Sequence, residues 1–76
     1  MRNLGVILHI SSHGYIILRA ALFPKINSSV LTKRMKKIGK VHDVFGPVLS
    51  PYVSVKPSKK IAPADLKKLV GEKVYI

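Results

Sequence analysis

Turn-forming residues cut this chain of 76 residues into apolar pieces that are too short for most architectures. Clusters such as Asn27-Ser28-Ser29, Gly46-Pro47 and Ser50-Pro51 separate segments rich in β-branched and aromatic residues. Segments of this length and composition favour β-strands, because such side chains fit a pleated, half-buried surface. The predicted strands cover residues 4–10, 15–22, 30–32, 38–45, 52–56 and 73–76.

One short helix is predicted over residues 63–70. Leu66, Leu69 and Val70 follow helical spacing, Pro63 suits the first turn and Gly71 suits the C-terminal end. Six short strands and one small helix predict an all-β fold, a closed β-barrel in a single domain spanning residues 1–76, because closure removes exposed strand edges. The chain has no cysteine, so neither a disulfide nor a cysteine zinc site stabilises it.

Two local patterns refine this prediction. In the first strand every second residue is apolar, which is the period of a β-strand; these residues are Leu4, Val6, Leu8 and Ile10. Gly39 lies inside the fourth predicted strand, where a glycine marks a bulge or a close approach of another backbone.

The charge of the chain indicates a polyanionic neighbour. Fourteen Lys and Arg residues against three Asp and Glu residues give a formal net charge of +11, which suits nucleic acid or an anionic membrane surface. A hydrophobic content of 47% excludes a disordered basic tail. No apolar stretch approaches the roughly 20 residues of a membrane span, and we expect an intracellular protein without a membrane role.

Basic side chains concentrate in a short segment around a predicted hairpin tip at residues 33–36. If the tip forms, they make one knob suited to phosphate contacts, although a solvated surface would explain the same charges. A second basic zone comprises Lys56, Lys59, Lys60, Lys67 and Lys68. The possible RNA phosphate contacts are Lys33, Arg34, Lys36, Lys37 and Lys40.

The sequence contains no pattern that indicates catalysis. Nucleotide-binding loops, zinc-protease and nucleophile-elbow motifs are missing. The candidate bases are His9, His13 and His42, and the neighbours His42 and Asp43 would point to opposite faces of one strand. Three scattered histidines also lack metal-ligand spacing. We therefore predict that the protein is not an enzyme and has neither a cofactor nor a metal site.

The segment 39–57 is the most distinctive part of the chain. Pro47 and Pro51 restrict the backbone of a loop, and Phe45 and Tyr52 flank that loop. A rigid loop that carries aromatic residues loses little entropy on binding, which suits a protein-binding surface. The alternative is that Phe45 and Tyr52 plug the end of the barrel. Tyr52 and the two prolines are the harder residues to explain as core.

This segment also carries a family resemblance that extends over nearly the whole chain. The sequence resembles the Gar-type small subunit of box H/ACA ribonucleoproteins, in its compact archaeal form. The resemblance implies a six-stranded barrel of the translation-factor (reductase/isomerase/elongation-factor) type. The matching motifs are GVILH at 5–9, GYIILR at 14–19, LTKR at 31–34, IGKV at 38–41, DVFGPV at 43–48, PYVSVKP at 51–57 and GEKVYI at 71–76.

The resemblance further implies a non-catalytic subunit that docks on the catalytic domain of a dyskerin-type pseudouridine synthase. In that family the barrel contacts a mobile substrate-gripping loop and aids loading and release of substrate RNA, while a guide RNA selects the uridine in ribosomal RNA. Contact with guide and substrate RNA is direct or indirect, and the location is the cytoplasm of an archaeal cell or the nucleolus. The implied interface residues are Asp43, Phe45, Gly46, Pro47, Pro51 and Tyr52.

Two departures qualify the resemblance. The chain lacks the glycine-arginine-rich tails of eukaryotic members, so RNA binding through such tails does not carry over. It also lacks the longer flanks of a related assembly-factor family, which favours the subunit of the mature particle. The alternative function is an independent basic RNA-binding barrel such as a ribosomal protein, which the charge of +11 supports.

Overall fold

A closed antiparallel β-barrel forms the body of the molecule, in a computed structural model that describes residues 2–76. Going around the barrel, the strands follow the order β1-β2-β5-β4-β3-β6. The predicted all-β barrel with one short helix is therefore confirmed. Its elements are β1 (Asn3–Ile10), β2 (Ile16–Ala20), β3 (Ser29–Thr32), β4 (Lys37–Phe45), β5 (Tyr52–Pro57), α1 (Pro63–Lys68) and β6 (Lys73–Tyr75).

Three predicted elements are longer than the observed ones, and for the last strand, β6, the difference is Ile76 alone. Strand β2 ends at Ala20, where its pairing with β1 stops opposite Gly5 and the chain crosses toward β3. Helix α1 ends at Lys68 because the next backbone N–H groups, those of Leu69 and Val70, bond to carbonyls three residues back, which tightens the last turn. No helix among residues 2–76 is long and apolar enough to cross a membrane.

Strand β1 forms as predicted, but its apolar residues do not share one face. Leu4 and Ile7 are buried, whereas Val6 and Leu8 are 36% and 42% exposed. The pairing of β1 shifts register between Asn3 and Gly5 and again between Ile7 and His9. Each irregularity reverses the faces on which the following residues lie.

Aliphatic side chains from all six strands and Leu66 of α1 fill the barrel. Gly39 makes the predicted close approach, because a Cβ atom there would collide with the backbone carbonyl oxygen of Lys56. Strands β4 and β5 therefore pack closely at this point. The buried core comprises Leu4, Ile7, Ile16, Leu18, Ala20, Val30, Ile38, Val41, Val53, Val55, Leu66 and Val74.

Candidate functional surfaces at the two ends of strands β4 and β5

The outer surface of strands β4 and β5 carries contrasting pairs of side chains at its two ends. Phe45 lies opposite Tyr52 in the strand pairing, and Lys40 lies opposite Lys56. Tyr52 and Lys56 are four residues apart on β5, which is about 13 Å at the rise of an antiparallel strand. We call the region around Phe45 and Tyr52 the aromatic end and the region around Lys40 and Lys56 the lysine end.

The aromatic end presents an ordered apolar surface. The rings of Phe45 and Tyr52 stack with their centroids 5.9 Å apart and their planes inclined by 26°. Phe45 remains 45% exposed, so it does not plug the barrel. The pair borders a depression of about 380 Å³ whose other lining residues come from β1, β2 and the turn after β1, and no Lys, Arg, Asp or Glu lines it. Those residues are Leu8, His9, Ser11 and Ile17.

The proline loop, residues 46–51, connects β4 to β5 beside this surface. Gly46 has a φ of +90°, and a Cβ atom there would lie 3.0 Å from Cδ2 of Tyr52. Glycine therefore serves both the left-handed turn and the close packing of the ring. Arg19 Nε donates a hydrogen bond of 2.9 Å to Ser50 Oγ, which ties the far side of the loop to β2.

The two prolines of the loop have different surroundings, and the expectation that both lie outside the core is wrong for Pro51. Pro51 is fully buried and its carbonyl oxygen accepts a 2.8 Å hydrogen bond from Ala20 N–H, whereas Pro47 is exposed. Burial of Pro51 fixes one end of the loop in the barrel. The tip then projects outward, with Val48 81% and Leu49 98% exposed.

The predicted hairpin tip at residues 33–36 forms between β3 and β4. Met35 N–H donates to the carbonyl oxygen of Thr32 at 2.8 Å, and Thr32 N–H donates to that of Lys36 at 2.9 Å. The tip borders a groove of about 430 Å³ against α1 and β6, which we call the hairpin groove. Its lining residues are Thr32, Lys33, Arg34, Lys36, Lys68, Leu69, Glu72 and Lys73.

A second basic groove, of about 370 Å³, lies at the lysine end. It contains four lysines and no acidic residue, and we call it the lysine groove. The predicted basic cluster is thus divided, with Lys33, Arg34 and Lys36 in the hairpin groove and Lys37 and Lys40 here. The lysine groove is lined by Lys37, Gly39, Lys40, Lys56, Pro57, Ser58 and Lys59.

The remaining candidates for chemistry lie apart. The His42 ring meets the Tyr15 ring edge-on at 4.8 Å, and His9 lies in the depression of the aromatic end. Asp43 is exposed, and its Oδ1 accepts a 2.8 Å hydrogen bond from Val44 N–H. Among residues 2–76, no three His, Asp or Glu side chains are grouped so that they could hold a metal ion.

The positions of some residues on these surfaces could not be predicted from the sequence. Leu8 faces outward together with Val6 because β1 shifts register between Asn3 and Gly5, beside buried Leu4. The pairing of Lys40 with Lys56 depends on the register between two strands that a loop separates. No local period reveals either arrangement, although the second basic zone predicted from the sequence did include Lys56 and Lys59.

The family described as the Gar1/Naf1 RNA binding region matches this chain over residues 1–76. An uncharacterized protein of Methanothermobacter thermautotrophicus is 45% identical over 76 residues, which are all of this chain and 83% of the relative. An uncharacterized protein of Methanocaldococcus jannaschii is 48% identical over 54 residues, 71% of this chain and 65% of the relative.

The chain is also similar to a named ribonucleoprotein subunit and to a domain of known structure. The H/ACA ribonucleoprotein complex subunit GAR1 of Botryotinia fuckeliana is 31% identical over 75 residues, which are 96% of this chain but 33% of that subunit. A solved structure of the Gar1 domain of NAf1 superposes with a TM-score of 0.77 at 29% identity, covering 96% of this chain and 77% of that chain.

Proposed function

The chain belongs to the Gar1/Naf1 family, and from that premise we propose that it is the non-catalytic barrel subunit of a box H/ACA pseudouridylation particle. In this role it docks on the catalytic domain of a dyskerin-type pseudouridine synthase. It aids loading and release of the RNA substrate in ribosomal RNA modification, and the synthase performs the chemistry.

The main support for this proposal is the exposed aromatic surface at the aromatic end. Its stacked rings stand beside an apolar depression and remain accessible. Aromatic side chains next to such a depression are typical centres of protein interfaces. Gly46 packs against Tyr52, and Arg19 tethers Ser50, so the surface is ordered before a partner arrives. Preorganisation of this kind lowers the entropy lost on binding.

The exposed tip of the proline loop supports the part of the proposal that concerns substrate handling. Val48 and Leu49 project from the barrel next to the aromatic end. A docked barrel would therefore offer apolar side chains to a mobile loop of the synthase without moving its own core. Contact at this tip would shift the loop between the states that hold and release RNA, provided that the two states contact the tip differently.

The similarity to the GAR1 subunit supports a place in the mature particle. The superposed Gar1 domain of NAf1 shares both the fold and 29% sequence identity with this chain, so the turnover experiment distinguishes the mature-particle role from the assembly-factor role. The mature-particle role predicts that the protein stays bound through repeated turnovers and accelerates them. An assembly factor would instead be displaced before turnover begins.

The experiment compares binding and turnover with the cognate synthase and guide RNA. We expect Tyr52→Asp, and to a lesser extent Phe45→Ala, to reduce co-elution with the synthase and to slow multiple-turnover pseudouridylation, because a hot-spot ring contributes about 2 kcal/mol or more. Phe23→Ala is the matched control, since Phe23 is 63% exposed and lies outside the depression.

Circular dichroism should show that all three variants stay folded. Undiminished binding of the first two variants would remove the aromatic end from the interface. Turnover that is unchanged when the protein is left out would reject the role in substrate handling.

A further inference from the structure

The facing lysines at the lysine end have no partner that explains them. Lys40 and Lys56 are both exposed and directly opposed on neighbouring strands. Like charges in this position repel and destabilise the sheet. The one ion pair among residues 2–76 joins Lys68 to Asp65, on the helix. The pair therefore does not stabilise the folded barrel, and an anionic ligand would relieve the repulsion between the two ammonium groups.

The surroundings add positive charge of the same kind. Lys37 and Lys59 complete a groove of four ammonium groups and no carboxylate. Lys36, the residue before Lys37, lines the hairpin groove, so the two grooves adjoin along the chain. An extended anion with regularly repeated charges would fit such a path better than a single small ion.

We propose that the lysine groove binds the sugar-phosphate backbone of an RNA helix without reading its bases. RNA is the polyanion that the family description indicates. No Phe or Tyr lines either basic groove, whereas single-stranded RNA is typically held by bases stacked on aromatic rings. Lysine ammonium groups act as point charges toward phosphates and suit binding that depends on backbone shape.

This inference goes beyond the proposed docking role and fits it geometrically. The lysine groove lies about 13 Å along β5 from Tyr52, and the proposal requires that a synthase docked at the aromatic end leave the groove open. The barrel would then join the synthase to a stem of the guide RNA. The two interactions are tested separately, because RNA binding is measured on the isolated barrel.

The experiment measures fluorescence anisotropy of a labelled 16-base-pair RNA duplex and of a 16-nucleotide oligouridine against salt. We expect the duplex to bind more tightly. The triple variant Lys37→Ala, Lys40→Ala, Lys56→Ala should lower duplex affinity about tenfold or more and reduce the salt slope by about 2 to 3, at roughly 0.9 per phosphate contact. The matched control is Lys25→Ala, Lys60→Ala, Lys67→Ala, which removes the same charge from outside both grooves.

Equal losses in the two triple variants would overturn the proposal, because they would indicate attraction by net charge alone. Tighter binding of oligouridine would overturn the helix as ligand, and equal affinity for heparin or for anionic phospholipid vesicles would overturn RNA as the partner. If the triple variant of the lysine groove still co-elutes with the synthase, its loss of RNA binding concerns the groove alone and leaves the docking proposal unaffected.

A second variant tests the argument from repulsion. Lys56→Glu places opposite charges across the strands, so we expect a higher melting temperature together with weaker duplex binding. A structural role for Lys56 would make both quantities fall. A lower melting temperature with full RNA affinity would overturn the proposal.

Discussion

The two ends of the β4–β5 pair have opposite effects on the stability of the sheet. At the aromatic end, the stacking of Phe45 on Tyr52 stabilises the sheet that presents the rings. At the lysine end, Lys40 and Lys56 oppose each other and weaken the same sheet. The aromatic pair therefore stabilises the sheet as well as presenting a surface, whereas the lysine pair would be stabilised only by the anionic ligand proposed for it.

The largest effect is expected from the turn that supports the aromatic end. Gly46→Ala should lower the free energy of unfolding by about 1–2 kcal/mol, because an L-residue is strained at positive φ and its Cβ atom would press on Tyr52. Synthase binding should weaken as well, while duplex RNA binding stays unchanged. Urea denaturation and the two binding assays measure these quantities.

Gly14→Ala is the control for Gly46→Ala, since Gly14 also has positive φ but a Cβ atom there meets nothing within 4 Å. It should share the backbone strain and leave synthase binding intact. Equal losses of synthase binding in both variants would show that strain, and not contact with Tyr52, is responsible.

A smaller effect of opposite sign is expected at the lysine end. Lys40→Glu should raise the free energy of unfolding by about 0.2–1 kcal/mol, because it replaces a repulsive cross-strand pair by an attractive one. The gain should shrink in 1 M salt, where surface charges are screened. Thermal melts at low and high salt test this, and a destabilised variant at low salt would contradict the account of the pair.

The smallest effect concerns the tether of the proline loop. Ser50→Ala removes the hydroxyl that accepts the hydrogen bond from Arg19 and should lower the free energy of unfolding by at most about 0.5 kcal/mol, the low end for a hydrogen bond, since this bond is exposed. Its clearer consequence is faster hydrogen exchange in residues 46–51. Unchanged exchange there would show that buried Pro51 and Gly46 suffice to order the loop.

Local chemistry explains what could be predicted from the sequence. Turn residues delimited the strands, and the polar run at residues 33–36 located the hairpin tip, because both depend on neighbours in the chain. The face on which Leu8 lies, the burial of Pro51 and the opposition of Lys40 to Lys56 depend on register and closure. Those are long-range properties, which no window of residues contains.

The short strand β5 links the two surfaces more tightly than a loop could. Tyr52 and Lys56 lie on the outside, and Val53 and Val55 on the inside, with no irregularity in the pairing of β5 with β2. Inserting a single residue between Tyr52 and Lys56 would turn one of them toward the interior unless a β-bulge absorbed it. Strand β4 contains such an irregularity, because Lys40 and Phe45 are five residues apart and pair with residues of β5 that are four apart, with a register shift between Val41 and Asp43. Without a bulge, the distance between the two surfaces along β5 changes in steps of two residues, about 6.6 Å.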